Sequence, residues 1–150
     1  MKRGEKMKKE LAGNMVFDAS VIVELLSATK RGKIVKEKLK SGELFAFTTE
    51  LDITEALYIL CRKIGFNNAL TKINALKRSG YIEIFEISPL IETAALYKCS
   101  RAIALSDCFT LSLAKYLSSP ALFAHKEEEL LREMEKEPFD VEILFLDELV

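Results

Sequence analysis

Short apolar runs alternate with longer helical stretches through nearly the whole chain. This predicts an α/β fold: a three-layer sandwich with a mainly parallel five-stranded sheet and helices on both faces. Three observations carry the prediction. NMVFD, ELFAFT, YIEIFEI, ALFA and VEILFL read as strands, short and rich in apolar residues. The segments between them hold helical periodicity. No glycine- or proline-rich linker and no internal repeat divides the 150 residues, which suffice for a single core. The expected organisation is a flexible charged leader over residues 1–13 and one domain over residues 14–150.

Each element follows from local signals. NMVFD ends its apolar run at Asp18, and SVIVELLSA then reads as a helix with Ser20 available as a cap. Gly32 separates it from a second, basic helix, IVKEKLK, which Ser41 and Gly42 end. After the strand ELFAFT, either Thr48 or Thr49 can cap ELDITEALYILCRKIG. Leu51, Thr54, Leu57, Tyr58, Leu60 and Cys61 give that helix its apolar face, and Gly65 stops it. NNALTKINALKRSG is a further helix closed by Gly80. YIEIFEI alternates apolar and acidic residues, as a half-exposed strand near a sheet edge does. Pro89 opens a helix that runs to Leu105, and Ser106 and Asp107 begin the next. Pro120 precedes ALFA, an acidic helix ends at Pro138, and VEILFL is the last strand.

Composition narrows the class. With 49% hydrophobic and 30% charged residues the chain reads as globular and soluble. No apolar run approaches the roughly 18 residues of a membrane span. The basic start is not followed by the apolar run of a signal peptide, so a cytoplasmic protein is expected. Cys61, Cys99 and Cys108 lack metal-like spacing and read as reduced core thiols. Net charge is −1, yet residues 30–40 carry six lysines or arginines against one glutamate, while residues 125–137 are strongly acidic. Such separation can present a basic patch to a phosphate backbone.

Three acids stand out. Asp18 ends the first strand between two very apolar stretches, and a buried carboxylate needs a partner or a cation. In a parallel α/β sheet the C-terminal ends of strands are where ligands gather. Asp107 opens a helix, where the dipole favours an anion, although such a residue is also an ordinary helix cap. Glu55 lies inside a helix among Ile53, Ala56 and Leu57, one turn from Leu51. It is therefore expected to face inward or along a groove rim.

VFDASVIVELL, TTELDITEALYIL and LSDCFTLSLAKYL together resemble the three best-marked motifs of the PIN domain family, in the family's order. By size and layout the chain is most similar to the small single-domain PIN ribonucleases that serve as toxins of VapBC-type toxin–antitoxin pairs. The resemblance implies Asp18, Glu55 and Asp107 as catalytic and metal-binding acids. Ser20 and Thr48 match the hydroxyl residues that support the site, and Thr49 also falls in that region. The fourth motif departs from the pattern. A threonine and an aspartate commonly follow the fourth strand, whereas ALFAHKEEEL places His125 or Lys126 there, and Glu127 is the expected substitute ligand.

An all-oxygen ligand set suits Mg²⁺ or Mn²⁺. Such an ion would lower the pKa of a coordinated water and stabilise the leaving oxygen of a phosphodiester. The expectation is a metal-dependent endoribonuclease acting on single-stranded RNA. Lys30, Arg31, Lys33 and Lys36 are candidates for contact with the strand, as are Arg62 and Lys63. The family also implies a homodimer and a small antitoxin partner that blocks the acidic pocket. The competing reading is a PIN-like module that has lost catalysis and binds RNA or protein. A phosphoryl-accepting receiver domain fits the glutamate inside a helix badly. A dinucleotide binder fits less well still, because the first strand–helix turn, FDASV, has no glycine-rich loop.

Overall fold

The structure, a computed structural model, describes residues 9–150. Among these residues five strands pair in parallel: β1 (Gly13–Phe17), β2 (Leu44–Thr49), β3 (Ile82–Phe85), β4 (Ala121–Phe123) and β5 (Ile143–Phe145). Their order is β3-β2-β1-β4-β5. The predicted five-stranded parallel sheet is present, with β3 at an edge as its alternating pattern suggests. The chain steps from β1 outward to β2 and β3, then crosses back to β4 and β5. A crevice consequently opens at the C-terminal ends of β1 and β4, where the order reverses.

Helices α1 (Ala19–Leu26), α2 (Lys30–Ser41), α3 (Glu50–Ile64) and α4 (Phe66–Ser79) cover one face. They bury Met15, Phe17, Ile22, Val35, Leu60 and Ile73 in one core. Helices α5 (Ile91–Ser100), α6 (Leu105–Leu117) and α7 (Glu128–Lys136) cover the other, around Val16, Leu111, Leu113, Phe123 and Leu130. Successive residues Met15, Val16 and Phe17 thus enter opposite cores, which is why the strand is apolar without alternation. A short α8 (Leu146–Leu149) ends the fold. Among the described residues no helix is long and apolar enough to cross a membrane.

Several local expectations are corrected. Residues 1–8 of the leader lie outside the described residues, but Leu11 is buried in the core and Gly13 already belongs to β1. Asp18, not Ser20, caps α1, accepting a hydrogen bond from the Ser20 N–H. The buried face of α3 is Asp52, Ile53, Ala56 and Leu60, while Tyr58 is 45% exposed. The helix is rotated from its expected facing because its first turn tucks beneath α1 and α6. α5 stops at Ser100, after a 3-10 turn at Ser88–Leu90. The next residue, Arg101, is extended, and its guanidinium donates to the carbonyls of Glu133, Glu137 and Pro138 while lying 4.0 Å from the centre of the Phe139 ring. Those bonds hold the segment out of the helix. Cys99 is exposed, unlike the half-buried Cys61 and the buried Cys108, so it is not a core thiol.

Gly32 does not separate two helices; it lies inside α2, buried against the end of α1. A Cβ there would sit 2.0 Å from the carbonyl oxygen of Glu24 and 2.6 Å from its carbon. Replacing glycine by alanine in a helix ordinarily gains about 1 kcal/mol. An overlap with backbone cannot be relieved by a rotamer change, and overpacking of this kind costs about 1–3 kcal/mol. Gly32→Ala is therefore expected to destabilise the protein despite its better helix propensity, read as a lower midpoint in urea unfolding. An unchanged or higher midpoint would show that α2 can move off α1 freely.

Candidate functional site

Three acids reach the crevice from the ends of strands or helices, and a fourth, Glu55, from within α3. β1 ends at Phe17 and Asp18 turns the chain into α1. The Asp18 side chain is 3% exposed. Its Oδ2 accepts from the Ser20 N–H at 3.0 Å and from the Ser20 hydroxyl at 2.7 Å. The same hydroxyl oxygen accepts from the Ala124 N–H at 2.9 Å, just past β4. Asp18 also donates its backbone N–H to Leu122. Ser20 therefore clips the ends of β1 and β4 together and fixes the carboxylate between them. Thr48 acts on the other side of β1, donating its hydroxyl to the Phe17 carbonyl at 2.8 Å.

Asp107 is the third residue of α6, is 5% exposed, and does not cap its helix. Glu127 immediately precedes α7 and likewise makes no capping bond. Both turn toward Asp18 instead. Carboxylate oxygens of Asp18, Asp107 and Glu127 lie within 4.8 Å of one another. Glu55, half-buried on α3, adds its negative charge to the field at all three. It stands outside the tight group and faces it from the rim.

Crowding shows in the ionisation. Burial, above all, raises Asp18 to about 6 against the ordinary aspartate value of 3.8, with Glu127 and Glu55 adding to it while the Ser20 bonds oppose. Asp107 is pushed up to about 9, first by burial and then by Asp18 and Glu127. Glu127 is raised by burial, while its hydrogen bond with Asp107 and the nearby His125 act against that rise. Such like-charged groups either keep protons or neutralise one another through a cation. An all-carboxylate oxygen set of this kind fits a hard divalent ion.

A further aspartate, the third, lies beneath the cluster and was not expected from the sequence. Asp52 is fully buried on the first turn of α3. Burial and the charge of Asp18 push its carboxyl well above the usual range. The pattern Thr49-x-x-Asp52 was a readable capping-box signal. Thr110, buried on α6 one turn beyond Asp107, completes its surroundings with a hydroxyl 2.9 Å from its Oδ1.

The basic residues are placed elsewhere. α2 runs between the end of α1 and the start of β2, toward the N-terminal edge of the sheet, whereas the acids meet at the C-terminal edge. Lys30, Arg31, Lys33 and Lys36 therefore do not rim the acidic crevice. Arg31 donates to the carbonyl of Val150. Lys33 and Lys36 line an apolar cavity of ≈ 530 Å³ with Leu25, Leu39, Leu76 and Lys72. Arg62 lies over the Tyr58 ring at 5.0 Å, on the exposed side of the helix that carries Glu55. His125 is exposed, and Lys126 pairs with Glu148 at 3.0 Å.

Comparison with known proteins follows the same outline. Among curated proteins none matches the chain. The structure of VapC20 from Mycobacterium tuberculosis, a toxin that cleaves the sarcin–ricin loop, is similar with a TM-score of 0.59 and 17% identity. It covers 71% of this chain and 86% of its own. VapBC2 from Rickettsia felis, bound to a DNA fragment from its promoter, gives 0.63 at 10% identity, over 87% and 97%. DNA-bound VapBC from Salmonella typhimurium gives 0.63 at 11%, over 89% and 98%. At these identities the likeness is one of fold. Residues 15–136 match the PIN domain model, a span that holds Asp18, Glu55, Asp107 and Glu127. The chain belongs to the PIN domain family.

Proposed function

We propose that this chain is a metal-dependent endoribonuclease that cleaves single-stranded RNA and serves as the toxin of a VapBC-type pair. The observation that carries the reading is the convergence of Asp18, Asp107 and Glu127 within 4.8 Å, at the point where strand order reverses. Asp18, Asp107 and Glu127 would hold Mg²⁺ or Mn²⁺, with Glu55 at the rim. When bound, such an ion supplies an acidified water and charge stabilisation for phosphodiester cleavage. The chain's own residues do the positioning. Ser20 locks Asp18 between β1 and β4, Thr48 steadies the end of β1, and the first turn of α6 aims Asp107 into the crevice. Glu55 faces the cluster from the more open side, where substrate enters. Tyr58 and Arg62 continue along that helix and offer an aromatic and a cationic surface for an unpaired base.

Partners belong to the same reading. Several similar folds were solved as toxin–antitoxin assemblies, which supports a small antitoxin. The apolar cavity rimmed by Lys33, Lys36, Lys40 and Lys72 has the chemistry to take an acidic segment with an apolar face. Leu96, Leu105 and Tyr116, exposed on α5 and α6, offer surface that a second copy would cover.

Purified protein is expected to cleave a mixed single-stranded RNA in Mn²⁺ or Mg²⁺ and to stop in EDTA. Asp18→Asn should abolish cleavage. Glu127→Gln should reduce it by about 10- to 100-fold, as loss of one of several ligand-sphere groups does. Wild-type rates in Asp18→Asn would sink the proposal. Absence of cleavage by folded, antitoxin-free protein would favour a binding module that has lost catalysis.

The pH dependence has a definite sign. The carboxyls of Asp18 and Asp107 rise from 3.8 in the ordinary state to about 6 and about 9 in the fold. The metal-free native state therefore holds more protons than the unfolded chain once pH exceeds about 4. Their stabilising contribution is complete below that point and is lost as pH climbs through 6 for Asp18 and 9 for Asp107. The slope is at most about 1.4 kcal/mol per pH unit for each group. Thermal unfolding in EDTA should show a melting temperature that falls between pH 5 and 9. Mn²⁺ should restore it, and more so at the alkaline end. A flat profile with no effect of Mn²⁺ would mean that these acids are not crowded as described.

A further inference from the structure

Asp52 has no part in the proposed ion site, yet every side of its carboxyl is engaged. Oδ1 accepts from the Ala19 N–H at 3.2 Å, and Oδ2 accepts from the Thr49 hydroxyl at 2.9 Å. Its own N–H donates to that same Thr49 hydroxyl oxygen at 3.0 Å. The Thr110 hydroxyl stands 2.9 Å and 3.0 Å from its two oxygens, 3.0 Å from the Ser106 carbonyl and 3.4 Å from Asp18. The partners belong to three different elements. Ala19 is the first residue of α1 and the neighbour of Asp18. Thr49 ends β2 and caps α3, where Glu55 lies one turn beyond Asp52. Thr110 lies on α6, three residues after Asp107. One buried side chain therefore touches the supports of all three acids that the family motifs supply.

We propose that Asp52 is a positioning residue that sets the mutual spacing of Asp18, Glu55 and Asp107, and through it the affinity of the crevice for a divalent ion. The inference rests on the metal-site reading above, but its geometry does not. An apolar side chain of similar size would avoid the cost of burying a carboxyl. It would also leave the Ala19 N–H and the Thr49 O–H without an acceptor, and reduce the Thr110 hydroxyl to its bond with the Ser106 carbonyl; a first-turn amide has no acceptor within its own helix. Asparagine, by contrast, can accept from Ala19 through its carbonyl and donate to a threonine oxygen through its amide. Conservative and truncating variants should therefore separate sharply.

The test uses the full chain as wild type, Asp52→Asn, Asp52→Ala and Thr110→Val, with two readouts. The first is the ¹³C resonances of the Asp18 and Asp107 carboxyls without metal; the second is the dissociation constant for Mn²⁺ alone. Asp52→Ala is expected to displace both resonances and weaken Mn²⁺ binding by about 10- to 100-fold, the usual effect of removing a group that orients ligands. Asp52→Asn should stay within about threefold of wild type, a rough bound set by the retained hydrogen bonds. Thr110→Val, which cuts the tie to α6 and keeps that to Ala19, should move Asp107 more than Asp18. Folded Asp52→Ala with unmoved resonances and wild-type Mn²⁺ affinity would overturn the proposal. So would equal damage from asparagine and alanine, because charge rather than hydrogen-bond geometry would then be at work. If wild type binds no Mn²⁺, the metal reading fails and the carboxyl resonances alone decide the positioning role. If Asp52→Ala does not fold, Thr110→Val decides: an undisturbed Asp107 overturns the proposal and a displaced one supports it.

Discussion

Several carboxyl groups share a small space at the end of β1, and much of the fold can be understood as the means of holding them there. Asp18 is nearly excluded from water, with Asp52 below it and Asp107 and Glu127 beside it. Nothing in their own chemistry brings such groups together. The sheet does so. β1 and β4 are adjacent although more than a hundred residues apart in sequence, and Ser20 joins their ends through one hydroxyl. Once that junction is closed, α1 leaves from Asp18 in a fixed direction. α6 packs with its N-terminal turn, which carries Asp107, in the crevice.

The two cores explain why this arrangement tolerates its internal repulsion. Met15 and Phe17 pack into one layer and Val16 into the other, so β1 is anchored on both faces immediately before the acid appears. Burial of a large apolar side chain contributes about 1.5–3 kcal/mol. A few such residues outweigh the cost of keeping one carboxyl protonated or paired. Stability therefore comes from the layers, and the crevice at their end carries the strain. A site of this kind gains stability when a cation arrives, which links occupancy to folding in the way that metal sites generally show.

Legibility from sequence followed the range of the interactions. Strands, helices and the parallel sheet could be read because apolar runs, caps and stop residues are local signals. Asp18 and Asp107 were visible for the same reason, since each sits where a run ends or a helix begins. Glu55 was marked by its apolar neighbours and given a role by the family motif, and it lies at the rim. Asp52 was missed because the facing of α3 is decided from outside the helix. Its apolar residues suggested a face through Leu51 and Tyr58. The observed facing depends on Thr110, 58 residues away, and on the N–H of Ala19. The basic run of α2 shows the opposite failure. Its charge was plain, but only the order of connections places it toward the far edge of the sheet, away from the acids.

The altered fourth motif illustrates what a metal-type site requires of a chain. β4 ends at Phe123, and Ala124 is fixed by Ser20, so the backbone enters the crevice in a defined place. Where an aspartate close to the strand would serve, this chain continues through His125 and Lys126, both turned to solvent, before Glu127. Glu127 is extended, with φ −93° and ψ 133°, so its side chain is not committed to a helical face of α7. A glutamate is also one carbon longer than an aspartate, which adds about 1.5 Å of reach. The later branch point and the longer arm offset one another, and the carboxylate arrives beside Asp107. A ligand sphere constrains where oxygens lie, not which residue in the connection supplies them. The motif can therefore change in sequence while the acid remains in the crevice.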